Sequence, residues 1–128
     1  MEEKNLEELT NSEVLVMKVI WKSAEALSIQ EITRAANAAY GKDWKVQTVS
    51  TFLSKMVKKG YLDMQRQGRY FFYHPLVTEQ EYGRREIEKC INLWGGGKLS
   101  GLLAAFAQQN RLTEEERQQI GGLLDELD

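Results

Sequence analysis

Residues 44–75 read WKVQTVSTFLSKMVKKGYLDMQRQGRYFFYHP, and their periodicity changes halfway along. Val49, Phe52, Leu53, Met56 and Val57 recur at i, i+3, i+4, i+7 and i+8, the spacing that gathers apolar side chains into one buried helical stripe. The other face carries Gln47, Thr48, Ser50, Thr51, Ser54 and Lys55, with Lys45 just ahead of it. Their hydroxyl, amide and ammonium groups suit close approach to base edges and phosphates. A helix that only has to be solvated more often shows Glu and Lys pairs there. Lys58, Lys59 and Gly60 then end the helix, cations at the negative end of its dipole and a glycine suited to a left-handed cap. YLDMQR and RYFFYH read as two strands joined at Gln67 and Gly68, where Gly68 can take positive φ. Arg66, Arg69 and Tyr70 at the tip make a small basic wing that suits a phosphate strand or the minor groove.

Upstream, two helices are marked by Ser/Thr-x-x-Glu capping boxes, Thr10 with Glu13 and Ser28 with Glu31. The first helix is expected to run to about Ser23 and bury Val14, Met17, Ile20 and Trp21. The second spans Ile29 to about Tyr40, burying Ile32, Ala36 and Ala39, with Gly41 as its stop. Three helices followed by a hairpin is the topology of a winged helix-turn-helix, here residues 1–76. The fold class is therefore mainly α with a small β-hairpin, followed by a helical segment.

Beyond Pro75, residues 77–128 read as that second helical segment. Two more boxes, Thr78 with Glu81 and Thr113 with Glu116, open helices in it. The first, about Glu79 to Trp94, places Tyr82, Ile87, Cys90, Ile91 and Trp94 on its apolar side; Gly95, Gly96 and Gly97 break it and read as a hinge. Leu99, Leu102, Leu103 and Phe106 then mark one helix, and Ile120, Leu123, Leu124 and Leu127 the last. About fifty residues of short helices enclose too little core alone, so a twin subunit is expected to complete it. Packing back on the same chain's DNA-binding domain is the alternative.

With 128 residues, 42% hydrophobic and 28% charged, the chain reads as a soluble globular protein. It has no apolar run of the roughly 20 residues that span a membrane, and its acidic start, MEEKNLEEL, is unlike a signal peptide. A cytoplasmic protein without membrane insertion is the expectation. The net charge of −2 is unevenly spread. Residues 42–75 carry seven basic and two acidic side chains, a local +5, against −3 before and −4 after. Because charges are screened beyond about 8 Å in physiological salt, the local sign governs attraction to phosphates.

Catalytic readings fail for lack of parts. His74 is the single histidine and Cys90 the single cysteine, so no nucleophile–base pair, disulfide or Cys-x-x-Cys metal framework is available. Cys90 reads as a small core hydrophobe, and the three tryptophans as packing residues. Glu114, Glu115 and Glu116 suit a helix N-terminus better than a metal site. No cofactor, metal or catalytic residue is expected.

Taken together, LTNSEVLVMKVIW, DWKVQTVSTFLSKMVKKGYL, GRYFFYHPLVTEQEY and GGGKLSGLLAAFAQQNRLTEEE resemble the BlaI/MecI/CopY family, the penicillinase, methicillin-resistance and copper-responsive repressors. The resemblance spans nearly the whole chain. It implies a homodimeric repressor of double-stranded DNA, with a winged helix on each half of an inverted-repeat operator and a C-terminal helical dimer segment. In that segment Trp94, Leu99, Leu102, Leu103, Phe106, Ile120, Leu123, Leu124 and Leu127 are the dimerisation candidates. Thr48 and Thr51 stand where the family also places threonine, whereas Gln47, Ser50 and Lys55 occupy positions where the penicillinase repressors tend to place Lys or Arg, which implies a different operator or fewer charged contacts to it. The copper branch's Cys-x-Cys repeat is missing. In the penicillinase repressors a membrane sensor's signal leads to cleavage of an Asn-Phe bond; LLAAF aligns that bond with Ala105 and Phe106, a cleavage candidate for a sensor-linked protease. Phe106 as plain core is the competing reading. A winged-helix module that binds an acidic protein partner, or a regulator released by a small molecule, are the alternative functions.

Overall fold

The computed structural model describes residues 6–109 and 112–127, and the chain divides into two compact units, residues 1–82 and 83–128. In order, the elements are α1 (Asn11–Lys22), β1 (Leu27–Ser28), α2 (Ile29–Tyr40), α3 (Val46–Lys58), β2 (Leu62–Gln67), β3 (Tyr70–Pro75), α4 (Glu79–Trp94), α5 (Leu99–Gln109) and α6 (Glu114–Glu126). No described helix is long and apolar enough to cross a membrane.

Capping chemistry sets most of these starts. At Thr10 and Ser28 the hydroxyl accepts from the N3 amide while the N3 carboxylate accepts from the cap amide, and Thr78 with Glu81 does the same. Thr113 is different. Its hydroxyl accepts from the Glu116 amide but donates to the Glu116 carboxylate, so the reciprocal backbone bond is replaced by a side-chain one. Gly41, at φ 61°, ends α2 in the left-handed conformation that its missing Cβ makes cheap.

The first unit closes around one core. Val16, Met17, Ile20, Ile32, Val49, Leu53 and Met56, from three helices, meet Tyr61, Leu62 and Tyr73 of the sheet region. Val77 and Tyr82 join the same core, so this unit extends beyond residue 76. The Trp21 indole donates to the Val77 carbonyl at 2.8 Å and its ring lies 5.9 Å from that of Tyr82. Val14 and Trp21 are half-buried, while Val16 and Val19 are buried. Ala39 is exposed, contrary to expectation: the inner stripe of α2 continues from Ala36 through the half-buried Asn37 and Tyr40, which turns Ala39 to solvent.

The hairpin acquires a third strand too short to show periodicity. Sheet order is β1-β3-β2, all antiparallel, with Leu27 opposite Tyr73 and Gln67 opposite Tyr70. The connection is Gly68 and Arg69, one residue later than the sequence suggests. Gly68 has φ +65° and no non-glycine residue described has positive φ, the sign pattern of a II′ turn, whose twist matches that of the strands it joins.

In the second unit the helices follow the expected spans, but the burial does not. Ile87 and Trp94 are 57% and 72% exposed, and Cys90 is exposed as well, so it is no core residue of this chain. Ile91 is half-buried. Amphipathic spacing identifies a face that wants a partner, and within a single chain these faces have found little. The Gly95–Gly97 break is a close-packed corner rather than a loose hinge. Gly95 and Gly97 amides donate to the Ile91 carbonyl at 2.9 and 3.1 Å, and a Cβ on Gly101 would lie 2.1 Å from the Gly95 oxygen.

Candidate nucleic-acid interface

Val49, Leu53 and Met56 anchor α3 in the core, and this decides which side chains it turns outward. Gln47, Thr48, Thr51, Ser54 and Lys55 are exposed, as is Lys45 at the N-cap, while Ser50 is half-buried at the edge of the face. Lys58, read in the sequence only as a helix terminator, is exposed too and continues the stripe of Gln47, Thr51 and Ser54 at helical spacing. The Thr51 hydroxyl donates to the Gln47 carbonyl at 3.2 Å, leaving its methyl group and acceptor lone pairs outward. Lys45 supplies no side-chain cap, so the first-turn amides of α3 lack the acceptor that the caps of α1, α2 and α6 provide.

Both ends of α3 are held by polar contacts that periodicity cannot show. At the N-terminal end, Asn37 Nδ2 donates to the Trp44 carbonyl and Asn37 Oδ1 accepts from the Trp44 amide, each at 2.9 Å. The Trp44 ring meets Phe52 edge-on at 5.2 Å, and the Lys42 ammonium lies 5.8 Å from the Trp44 ring. At the C-terminal end, Lys59 donates to Glu13 Oε1 at 2.8 Å and to the Glu8 carbonyl at 2.9 Å. Glu13 is 1% exposed. Burial pushes its carboxyl up, but the Lys59 hydrogen bond, the Thr10 amide, the Lys59 charge and the Thr10 hydroxyl together outweigh that and hold it below the usual glutamate range.

Arg66, Arg69 and Tyr70 are exposed at the wing. Arg66 is folded along it: its Nε donates to the Gly68 carbonyl at 3.0 Å and its guanidinium lies 6.0 Å from the Phe71 ring. Arg69 is exposed and makes no ion pair among the described residues. His74 stands opposite Asp63 across the strands at 3.3 Å, a structural pair and not a catalytic one.

Of the dimerisation candidates, Trp94, Leu99, Leu103, Phe106, Leu123, Leu124 and Leu127 are exposed, and Leu102 and Ile120 half-buried. Ala105 and Phe106 lie within α5, Ala105 exposed and Phe106 at 53% exposure, so the reading of Phe106 as buried core does not hold within one chain.

A packed trio of helices, the third presenting a polar face beside a hairpin with a basic tip, defines a winged helix-turn-helix protein. The chain belongs to the penicillinase repressor family, whose model matches residues 9–126. It is 28% identical over 123 residues to a penicillinase repressor of Bacillus licheniformis, covering 96% of this chain and 94% of that one. It is likewise 28% identical over 119 residues to the methicillin resistance regulatory protein MecI of Staphylococcus aureus strain N315, covering 91% and 93%. Among solved structures it is similar to the monomeric form of Bacillus licheniformis BlaI in complex with the blaP half-operator, with 31% identity and a TM-score of 0.50 over 61% of this chain and 92% of that one. The family is one of transcriptional repressors, not enzymes.

Proposed function

We propose that this protein is a cytoplasmic, homodimeric transcriptional repressor that reads an inverted-repeat operator in double-stranded DNA. The carrying observation is the exposed polar face of α3, with Gln47, Thr48, Thr51, Ser54 and Lys55 outward on a helix whose other side is locked in the core. That helix suits the major groove. Gln47, Thr48, Ser50 and Thr51 are the candidates for base edges, and Lys45, Lys55, Arg66, Arg69 and Tyr70 for the sugar–phosphate backbone. That a similar repressor is seen in complex with a half-operator supports the DNA-binding part of this reading.

The second unit, residues 83–128, is proposed to hold the dimer through the apolar faces of α4 beyond Tyr82, α5 and α6. Two linked half-site contacts then act at high effective concentration, and occlusion of the promoter follows. Release by a sensor-linked protease is proposed at Ala105–Phe106: a cut there divides α5 and removes apolar area from the dimer face, and with it the avidity.

Binding assays test the reading. Thr51→Ala or Gln47→Ala is expected to weaken operator binding by about 1 to 3 kcal/mol with little change on random DNA, whereas Arg69→Ala weakens both. Equal losses on both DNAs for Thr51→Ala would show that α3 is not the reader. Leu124→Asp places a charge in the proposed seam, and its sedimentation as an intact dimer at micromolar concentration would locate the interface elsewhere. Mass spectrometry of protein from cells treated with a cell-wall antibiotic is expected to find chains ending at Ala105. Derepression with the 128-residue chain intact rules out the proteolytic route.

A further inference from the structure

Helices that start at a cap are located by that cap, but α3 starts at Lys45, which has none. The residue just before it is held from α2 instead. Asn37 donates to the Trp44 carbonyl and accepts from the Trp44 amide, so one side chain takes both hydrogen-bonding groups of a single residue. The assignment of amide oxygen and nitrogen is fixed by this pairing, since the reverse would set donor against donor and acceptor against acceptor. The Asn37 carbonyl also accepts from the Gly41 and Lys42 amides, so the whole turn between α2 and α3 is tied to this position. Trp44 passes the restraint on, because its ring rests edge-on against Phe52 one and a half turns into α3.

We infer that Asn37 is the positioning residue of the reading helix: its bidentate hold on Trp44 sets where the first turn of α3, with Lys45, Gln47 and Thr48, meets the bases. This rests on α3 being the reader. A carboxamide is required because it alone offers a donor and an acceptor at amide spacing, and glutamine would carry the pair one methylene too far. Aspartate keeps the acceptor for the Trp44 amide but sets a charged oxygen against the Trp44 carbonyl. Alanine loses both bonds. Asn37 is uncharged and its amide meets the Trp44 backbone, so its loss acts on register and not on charge.

The test uses full-length protein and two probes, a 30-base-pair duplex selected by the wild-type protein from a random library and a random-sequence duplex of equal length. The readout is the ratio of the two affinities, alongside folding by circular dichroism. Partial unfolding scales both affinities by the same folded fraction and cancels in the ratio, so a merely structural role leaves the ratio alone. For Asn37→Ala the ratio is expected to fall about tenfold or more, the discrimination carried by one base contact, with random-duplex affinity unchanged within about twofold. Asn37→Asp, which keeps one bond and turns the other into a repulsion, is expected to lower the ratio as well. An unchanged ratio in a folded variant overturns the inference; so does failure of both variants to fold, which would make Asn37 a determinant of folding instead. A wild-type protein that enriches no sequence sinks the operator-reading assignment itself, and this inference with it, before any variant is made.

Discussion

The two units of this chain show the same helical periodicity and opposite outcomes. In the first, Val16, Ile32, Val49, Leu53 and Met56 reach zero exposure, because three helices and a sheet converge on one interior. In the second, Leu93, Trp94, Leu99, Phe106, Leu123, Leu124 and Leu127 all remain more than half exposed. Amphipathic spacing therefore identifies the face to be buried and says nothing about whose atoms bury it. These exposed apolar side chains are the surface that the proposed dimer would cover.

The same substitution made in each unit tests that contrast most strongly. Leu53→Ala is expected to cost about 3 to 4 kcal/mol at every protein concentration, since it opens a cavity in a closed core. Leu124→Ala is expected to cost less than about 0.5 kcal/mol in the dilute single chain while weakening self-association as concentration rises. Urea titrations at nanomolar and micromolar protein measure both, and concentration-independent losses at both sites would erase the distinction between the units.

Next in size is Glu13→Gln, expected to cost about 3 kcal/mol at pH 7 by leaving the Lys59 ammonium without its buried partner. The Glu13 carboxyl is held below its usual range in the fold, so its contribution is fully present above the usual glutamate pKa of about 4.3 and is lost as pH falls through the lower folded value. The gap between wild type and variant should narrow below about pH 4. A gap as wide at pH 3 as at pH 7 would show that the carboxylate charge is not what stabilises this contact.

Gly101→Ala should cost about 2 kcal/mol and strike only the second unit, because the new Cβ meets the Gly95 oxygen. Loss of self-association with the winged unit's own unfolding transition unmoved is the expected pattern; a shift of both transitions together would mean that the units unfold as one. The smallest contrast lies in the caps. Thr10→Ala, which leaves the Glu13 amide without its acceptor at a partly buried cap, is expected to cost about 2 kcal/mol, and Thr113→Ala about 0.5 kcal/mol, by thermal denaturation.

What the sequence made legible was whatever repeats locally. The stripe of α3, the basic wing and the capping boxes all depend on residues within a turn or two of each other, and the structure has them within one residue. What it hid depends on distance or on single contacts. β1 is only Leu27 and Ser28 and shows no period. Asn37 looks like any polar residue near a helix end; only its place opposite the Trp44 backbone reveals its part in the turn. Cys90 and Ile87 are exposed in the single chain, because a helical period marks an apolar face without saying which chain covers it, and residue 76 marks the end of the hairpin but not of the packed unit, since Val77 and Tyr82 still belong to the core.

The Glu13–Lys59 pair has a consequence for the order in which the protein is made. Thr10 and Glu13 are three residues apart and can close their reciprocal cap as soon as both have left the ribosome. Lys59 lies 46 residues further on, which at a synthesis rate of about 5 to 20 residues per second is a wait of roughly 2 to 9 s. For that interval the Glu13 acid has its cap but not its ammonium partner, and stays in water. The charge that will end up among the least exposed in the molecule enters the interior only when the end of α3 arrives to neutralise it.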